Sequence, residues 1–144
     1  HEDFTLLWLI AVRDYWAYTG DREFVAEMWP TVQRIWQSES WRAGESGLWD
    51  LNHHRAFFDW GCLASERSGS GHAGINILRI AAARDCAELA AVIGEDTSRF
   101  ERHSVETERA VVDHLWCKNS GRFRPSLDAS TPGLHANVLA LWAE

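Results

Sequence analysis

Apolar residues recur along the chain in five segments whose spacing predicts α-helices. These segments span residues 3–19, 21–41, 72–93 and 97–116, and a fifth begins near residue 132. The first, third and fifth segments are apolar on nearly every face, whereas the second and fourth carry one apolar stripe and an opposite polar face. The predicted helices therefore alternate between helices surrounded by protein on all faces and helices that bury only one face.

This alternation predicts two layers of helices. In a simple bundle every helix contributes to one shared core, so all of them would show the same one-sided pattern. Helices of an inner ring contact neighbours on all sides, while helices of an outer ring face water. We therefore expect an all-α fold that forms part of a closed double ring. Because the sequence lacks a starting Met and stops inside an apolar helical run, we expect residues 1–144 to be a fragment of one domain.

Two pairs of glycines indicate an internal repeat. Gly20 ends the first segment and Gly94 ends the third, 74 positions later. Gly47 follows the second segment and Gly121 follows the fourth, again 74 positions apart. Equal spacings at two separate points predict a repeated pair of inner and outer helices, each followed by a short extended excursion.

Extended structure is expected in the long connections. Residues 56–60 are rich in aromatic side chains and bounded by polar residues and glycine, which predicts a short strand or hairpin arm. Residues 65–71 consist mostly of Ser and Gly and predict a flexible loop. Within the second helical segment, Pro30 either bends the helix or starts a new one.

The charge balance excludes one class of partner. The chain has 14 basic and 21 acidic residues and a net charge of -7, whereas nucleic-acid binding depends on a basic surface. No apolar run is long enough to cross a membrane, and the acidic start does not resemble a signal peptide. Three widely separated cysteines favour a reducing compartment. We therefore expect a cytoplasmic protein without nucleic-acid or membrane partners.

Tryptophan is unusually frequent, with nine residues in the chain. An indole buries a large area, so most of these residues are expected in the core, above all those on a helical stripe. The alternative is a platform on which sugar rings stack.

Several of these elements, in their order along the chain, resemble the catalytic domain of bacterial α-L-rhamnosidases. The similarity is carried by residues 3–8, 14–21, 28–30, 47–49, 57–61, 84–90 and 135–137. Its most specific pieces are Tyr-Thr-Gly-Asp at 18–21 with the Trp-Pro at 29–30, and Phe-Asp-Trp-Gly at 58–61. The chain is thus similar to this family over nearly its whole length.

The resemblance implies a fold and a reaction. It implies part of an (α/α)6 barrel of six helical hairpins with short β-hairpin excursions, and hydrolysis of terminal α-L-rhamnosides with inversion. Inversion uses two carboxylates roughly 6.5–9.5 Å apart, one as acid and one as base. The family's acid lies before the region matching the first helix and its base lies beyond the region matching the fifth, so we expect neither within residues 1–144. The implied partner is a carbohydrate substrate, and no cofactor is implied.

Six residues are candidates for substrate binding: Trp49, Asp50, Asp59, Trp60, Glu66 and His135. Asp59 is the best candidate carboxylate, because it would accept hydrogen bonds from sugar hydroxyls while the Trp60 indole lies against the sugar ring. The alternative for Asp59 is a loop carboxylate that caps local backbone. For the other four residues a structural, solvated or packing role is the stronger interpretation.

A metal site is not expected. His53 and His54 are adjacent, but no third ligand stands at helical spacing, and the sequence contains neither a His-Glu-x-x-His nor a Cys-x-x-Cys motif. The sequence also lacks a Gly-x-Ser-x-Gly elbow and a phosphate-binding loop.

Two other functions stay open at this point. One is a different double-ring hydrolase that acts on glucosides or unsaturated uronides, and the other is a non-catalytic helical repeat that binds a partner or a glycan. If the chain is isolated, we expect it to self-associate, because an open segment of a ring exposes the apolar faces of its inner helices. We also expect the isolated chain to be inactive, since one half of an acid–base pair cannot replace both.

Overall fold

A computed structural model describes residues 2–38, 43–50 and 70–143. In these ranges the chain forms five helices and one two-stranded hairpin: α1 (Glu2–Thr19), α2 (Arg22–Gln37), α3 (Ala73–Ile93), α4 (Ser98–Leu115), β1 (Trp116–Cys117), β2 (Arg122–Phe123) and α5 (Leu134–Trp142). The two strands pair antiparallel, with Trp116 opposite Phe123. The prediction of a helical architecture with a short hairpin excursion after the fourth helix is confirmed. The strand predicted at residues 56–60 lies outside the described residues.

Local capping explains where helices begin. The Asp21 carboxylate accepts the N–H of Phe24 at 3.0 Å and caps α2, and the ring of His72 caps α3 in the same way. α1 differs from the sequence prediction. The sequence pattern, an Asp just before the first apolar run, predicts Asp3 as the N-cap of this helix. In the structure Asp3 lies in the first turn, because the helix already begins at Glu2.

α2 is a single helix that contains Pro30. Pro30 is exposed, and so is Ala26, the residue whose backbone carbonyl loses its helical partner to the proline. The helix ends at Gln37, earlier than predicted, because Ser38 is extended and its N–H bonds the carbonyl of Ile35. Residues 39–42 lie outside the described part of the chain.

α3 is the centre of the fold. All residues from 71 to 83 are buried, and the helix packs against α1, α2, α4 and α5. α2 and α4 each bury one stripe and turn a polar face to solvent, as predicted. The buried stripes are Val25, Trp29 and Val32 in α2, and Phe100, Ser104, Thr107, Ala110, Val111 and Leu115 in α4.

α1 and α5 expose apolar side chains. Phe4 and Leu7 of α1 are 57% and 43% exposed, and Leu134 and Leu141 of α5 are 71% and 72% exposed. The sequence predicts surrounded helices at both positions, yet these faces have no neighbour in the described part of the chain. A segment of a ring has this property, because its two edge helices meet further helices only when the ring continues.

α1 and α3 are parallel, since they meet at two successive levels. Ile10 and Ala81 line one cavity, and further along both helices Arg13 Nε donates to Glu88 Oε2 at 2.8 Å. Both helices therefore advance in the same direction.

α3 and α5 are parallel by the same criterion. His72 and His135, at the start of each helix, line one small pocket, and Arg84 Nη1 donates to the carbonyl of Ala143 at 2.6 Å further along. We call α1, α3 and α5 the inner helices. Their N-terminal ends all lie at one end of the layer.

The predicted repeat is visible in the backbone. Gly20 and Gly94 follow α1 and α3 with positive φ angles of 68° and 83°. Gly47 and Gly121 also have positive φ, at 76° and 62°. These conformations favour glycine, which explains why the repeat is readable at those positions although little else is shared between its two halves.

Tryptophan mainly serves the core, as expected. Among the described tryptophans, Trp29 and Trp49 are buried, Trp8, Trp16 and Trp36 pack against the core, and Trp116 and Trp142 are exposed.

Candidate functional site

The candidate site lies at the N-terminal end of the inner helices, where two excursions attach. The first excursion, residues 43–50 in the described part, reaches the start of α3. There Asn76 binds the backbone of Trp49 on both sides: Oδ1 accepts the Trp49 N–H at 2.9 Å, and Nδ2 donates to the Trp49 carbonyl at 3.1 Å. Nδ2 also donates to the carbonyl of His72 at 2.9 Å. Because Asn76 is fully buried, these three bonds satisfy a polar group that would otherwise be costly.

The second excursion, residues 116–133, is held by the same device at the start of α5. Asn137 Oδ1 accepts the N–H of Phe123 at 2.9 Å, and Nδ2 donates to the Phe123 carbonyl at 3.0 Å. Nδ2 also donates to the carbonyl of Gly133 at 2.6 Å, one turn earlier. Trp49 and Phe123 each stand two residues after a repeat glycine. We call this arrangement the asparagine clamp.

Asp50, a predicted site residue, binds the far end of its own connection between α2 and α3, and that end in turn binds the second excursion through Ser70. Its carboxylate accepts hydrogen bonds from the Ser70 hydroxyl at 2.9 Å and from the N–H of Gly71. The N–H of Ser70 donates to Asp128 Oδ2 at 3.2 Å, and the Ser70 carbonyl accepts the N–H of Leu127 at 2.9 Å. Asp50 therefore has a structural function, and its contact with substrate stays a prediction.

Trp49 and His135 are the other two candidates in the described part of the chain. The Trp49 side chain is 2% exposed and belongs to the hydrophobic core. His135 is half-buried and lines a small pocket with His72 and Pro125. Trp49 and Asp50 are neighbours in sequence and lie at the first clamp, while His135 lies beside the second; their contact with sugar stays a prediction.

The remaining candidates lie outside the described residues. These are Asp59, Trp60 and Glu66, together with the histidine pair at 53–54. The role of Asp59 as the best candidate carboxylate for sugar binding stays a prediction from sequence. Within the described ranges, no group of His, Cys, Asp and Glu is arranged to hold a metal ion. The helices of those ranges also include none with the length and hydropathy needed to span a bilayer.

A buried guanidinium, that of Arg79, packs against the Trp49 ring of the first excursion. Arg79 is fully buried in α3, its Cζ lies 5.5 Å from the centre of the Trp49 ring, and its Nη2 lies 2.8 Å from Nε2 of His103 in α4. Burial, and secondarily the Arg79 charge, lower the pKa of His103 to about 4. Burial also lowers the pKa of Arg79 to about 10. At neutral pH the pair is a charged donor and a neutral acceptor.

Sequence reasoning missed Asn76 and Arg79. Both interrupt the apolar first half of α3, between Gly74 and Ala83, where every other residue is small or aliphatic. A polar residue inside such a run must find a partner when buried. That interruption was the available signal, although it does not identify the partner.

A second cluster of charges lies further along the inner helices. Arg13 Nε is 2.8 Å from Glu88 and 3.7 Å from Asp85. Burial raises the pKa of Asp85 to about 6, against the opposing effect of the Arg13 charge. The cluster borders a cavity of about 400 Å³ that Trp142 also lines. The three candidates in the described part of the chain, Trp49, Asp50 and His135, do not line this cavity.

Comparison with known proteins identifies the class. Parallel inner helices, one-sided outer helices and excursions at one end form a section of a helical-hairpin ring. Residues 3–144 match the bacterial alpha-L-rhamnosidase 6 hairpin glycosidase domain, and the chain belongs to this family. The family suspected from the sequence is thereby confirmed.

One solved structure with the same fold is a GH78 family rhamnosidase of Bacillus sp. GL1. The two chains superpose with a TM-score of 0.72 and share 23% sequence identity. The match covers 94% of this chain and 13% of the Bacillus protein, so the chain spans a small part of that structure's length. No curated protein matches the chain.

Proposed function

We propose that the full-length protein is a glycoside hydrolase that removes terminal α-L-rhamnose with inversion of configuration. The observation that carries this proposal is the family match over residues 3–144. In this proposal the chain supplies part of the barrel wall and part of the sugar pocket, at the N-terminal end of the inner helices.

The reaction needs two carboxylates on opposite sides of the scissile bond. One protonates the leaving oxygen while the other activates a water, and a separation of roughly 6.5–9.5 Å leaves room for that water. We assign neither role to a described residue. The two clamps would hold the excursions in fixed positions, because a preorganised wall avoids the entropy loss of ordering loops around the sugar.

Asp59 is proposed to bind a sugar hydroxyl rather than to act as acid or base. A carboxylate that accepts two hydroxyl hydrogen bonds orients a ring through charge-assisted contacts. We expect Asp59→Asn in the full-length protein to lower kcat/KM for an aryl α-L-rhamnoside at least tenfold. Asp113→Asn is the matched control, because Asp113 is exposed on the outer helix α4. Equal activity of the two variants would refute the role of Asp59.

The substrate class is tested with aryl glycosides of different sugars. We expect the full-length protein to hydrolyse 4-nitrophenyl α-L-rhamnoside, and proton NMR of the first product to show the inverted anomer. Hydrolysis of the corresponding glucoside without the rhamnoside would support the alternative glycosidase. Inactivity on every glycoside, with retained glycan binding, would support the binding-module alternative.

Self-association of the isolated chain is a further proposal. The exposed apolar residues of α1 and α5 form a hydrophobic surface through which copies of the chain can associate. We expect light scattering to show oligomers of the isolated 144-residue chain, and Leu141→Glu to reduce them. Val105→Glu is the matched control, since Val105 is 63% exposed on the outer helix α4. A monodisperse wild-type monomer would contradict the proposal.

A further inference from the structure

The connection between α2 and α3 is tied together by one carboxylate. Asp50 ends the described part of the first excursion, and the described chain resumes at Ser70, shortly before α3. The Asp50 carboxylate accepts a hydrogen bond from the Ser70 hydroxyl at 2.9 Å and another from the N–H of Gly71. These bonds join residues 20 and 21 positions apart in sequence, so Asp50 closes the base of the segment between them.

Each end of this segment is also anchored without Asp50. The first end is fixed to α3, because Asn76 binds both backbone groups of Trp49. The second end is fixed to the second excursion, since the Ser70 carbonyl accepts the N–H of Leu127 at 2.9 Å and the Ser70 N–H donates to Asp128 Oδ2 at 3.2 Å. Asp50 therefore links two anchored ends and fixes the distance between them.

Gly71 shows how closely the base is packed. It is buried, and its φ of 61° favours glycine. A Cβ at this position would lie 2.9 Å from Cδ1 of Leu48 in the first excursion and 3.0 Å from Cγ of Leu127 in the second. Side chains of both excursions thus confine the backbone whose N–H donates to Asp50.

The Asp50 carboxylate is directed at the chain itself. Both hydrogen bonds end on Oδ1, which occupies the two lone pairs of that oxygen. Oδ2 faces Gly44 in the turn of the first excursion, where a Cβ would come within 3.4 Å of it. A carboxylate in this environment acts on a ligand through the segment that it closes.

We propose that Asp50 is a positioning residue of the sugar pocket and not a sugar ligand. This role rests on the proposed function. The segment that Asp50 closes contains three of the six sequence candidates, Asp59, Trp60 and Glu66. When the ends of a connection are held at a fixed separation, less entropy is lost as its residues order around a bound sugar.

Amide hydrogen exchange in the full-length protein tests the link without any substrate. We expect Asp50→Ala to accelerate exchange of the Gly71 N–H about tenfold, because that amide loses its acceptor. Asp50→Asn keeps an acceptor oxygen at the position of Oδ1, so its exchange should lie close to that of the wild type. Asp113→Ala, at an exposed position of α4, is the matched control and should leave Gly71 unchanged.

Kinetics of the same protein separate positioning from direct contact. We expect Asp50→Ala to raise the KM for an aryl α-L-rhamnoside about tenfold and to change kcat by less than about twofold, because ground state and transition state lose the same binding. Ser70→Ala should raise the KM roughly threefold, and the double variant should be no worse than Asp50→Ala, since both substitutions break one link. Asp50→Asn should restore most of the wild-type KM. Ser120→Ala is the matched control, because the Ser120 hydroxyl is exposed and bonds only within its own hairpin.

Three results would overturn the proposal. The first is unchanged exchange at Gly71 in Asp50→Ala, and the second is fast exchange there with a wild-type KM, which would make the link purely a matter of stability. The third is a wild-type KM in Ser70→Ala beside a raised KM in Asp50→Ala, which direct sugar contact predicts. If Asp50→Ala fails to fold, Ser70→Ala decides, because it keeps the carboxylate: a raised KM supports the proposal and an unchanged KM refutes it.

Failure of the proposed function appears elsewhere, in the wild-type protein. A wild type that cleaves another glycoside is compared with its variants on that glycoside, so the role of Asp50 is judged separately from the identity of the sugar. A wild type that cleaves no glycoside overturns both proposals. An active wild type with unaffected variants overturns only the role of Asp50.

Discussion

The two excursions at the N-terminal end of the inner helices share a backbone clamp but stand on different side-chain supports. Trp49 in the first excursion is buried over the Arg79 guanidinium, which in turn contacts His103. Phe123 in the second excursion is half-buried, and its ring lies 4.8 Å from that of the exposed Trp116. The clamp therefore fixes the backbone without dictating the environment of the side chain.

The difference shows how a repeated unit acquires unequal halves. Because the clamp bonds only backbone atoms, the residue at the clamped position can change from Trp49 to Phe123 while the geometry is kept. The clamped residue of the first excursion is also more buried, since Trp49 is 2% exposed whereas Phe123 is half-buried, and Asp50 further ties the first excursion to Ser70 in the same connection. The first excursion is thus the more deeply anchored of the two, and the following variants measure by how much.

The largest effect is expected from removing the clamped aromatic rings. Trp49→Ala should lower the free energy of unfolding by about 4 kcal/mol, because a buried indole leaves a large cavity. Phe123→Ala should lower it by about 2 kcal/mol, since its ring is half-buried. Calorimetry or denaturant unfolding of the full-length variants measures both changes. Equal losses would contradict the unequal anchoring.

Removing the clamp asparagines should give a smaller difference in the free energy of unfolding. Asn76→Leu leaves the buried backbone groups of Trp49 without partners and should cost about 3 kcal/mol. Asn137→Leu does the same at a half-buried site, where water replaces part of the lost bonding, and should cost about 1.5 kcal/mol. The comparison is made by denaturant unfolding of both variants. A larger loss for Asn137→Leu would reverse the ranking of the two excursions.

The Arg79–His103 pair, which packs against the first excursion, should make the stability of the protein depend on pH. Burial lowers the pKa of His103 from 6.5 to about 4, so between these values the unfolded chain binds a proton that the folded chain does not. The contribution is present above pH 6.5 and is lost as the pH falls toward 4. We expect His103→Gln to flatten the Tm profile in that window. His114→Gln, at an exposed position of α4, should leave the profile unchanged.

The smallest effect is expected at Asp85, outside both excursions, and it has the opposite sign. Burial raises the pKa of Asp85 from 3.8 to about 6, so its contribution is present below pH 3.8 and is lost as the pH rises through 6. Asp85→Asn should therefore stabilise the protein slightly at pH 7, by about 0.5 kcal/mol, because Arg13 offsets part of the burial penalty. A Tm lowered at pH 7 would show that the Arg13 contact dominates instead.

The sequence by itself determined the helices, their alternation and the repeat. Those properties depend on local periodicity and on backbone conformations that favour glycine, as at Gly20 and Gly94. Periodicity and glycine positions are both local features of the sequence. Sequence also identified the family through short motifs. It misjudged Asp3 as a helix cap, because a cap and a buried first-turn carboxylate have the same local pattern.

Only the tertiary structure decided what the buried polar residues do. The partners of Asn76 and Asn137 lie 27 and 14 residues away, and the partner of Arg79 on α4 lies 24 residues away. Periodicity predicts which face of a helix is buried, but it carries no information on which distant backbone group arrives there. Hydrogen bonds between distant segments depend on how the inner helices are aligned, and that alignment exists only in the folded chain.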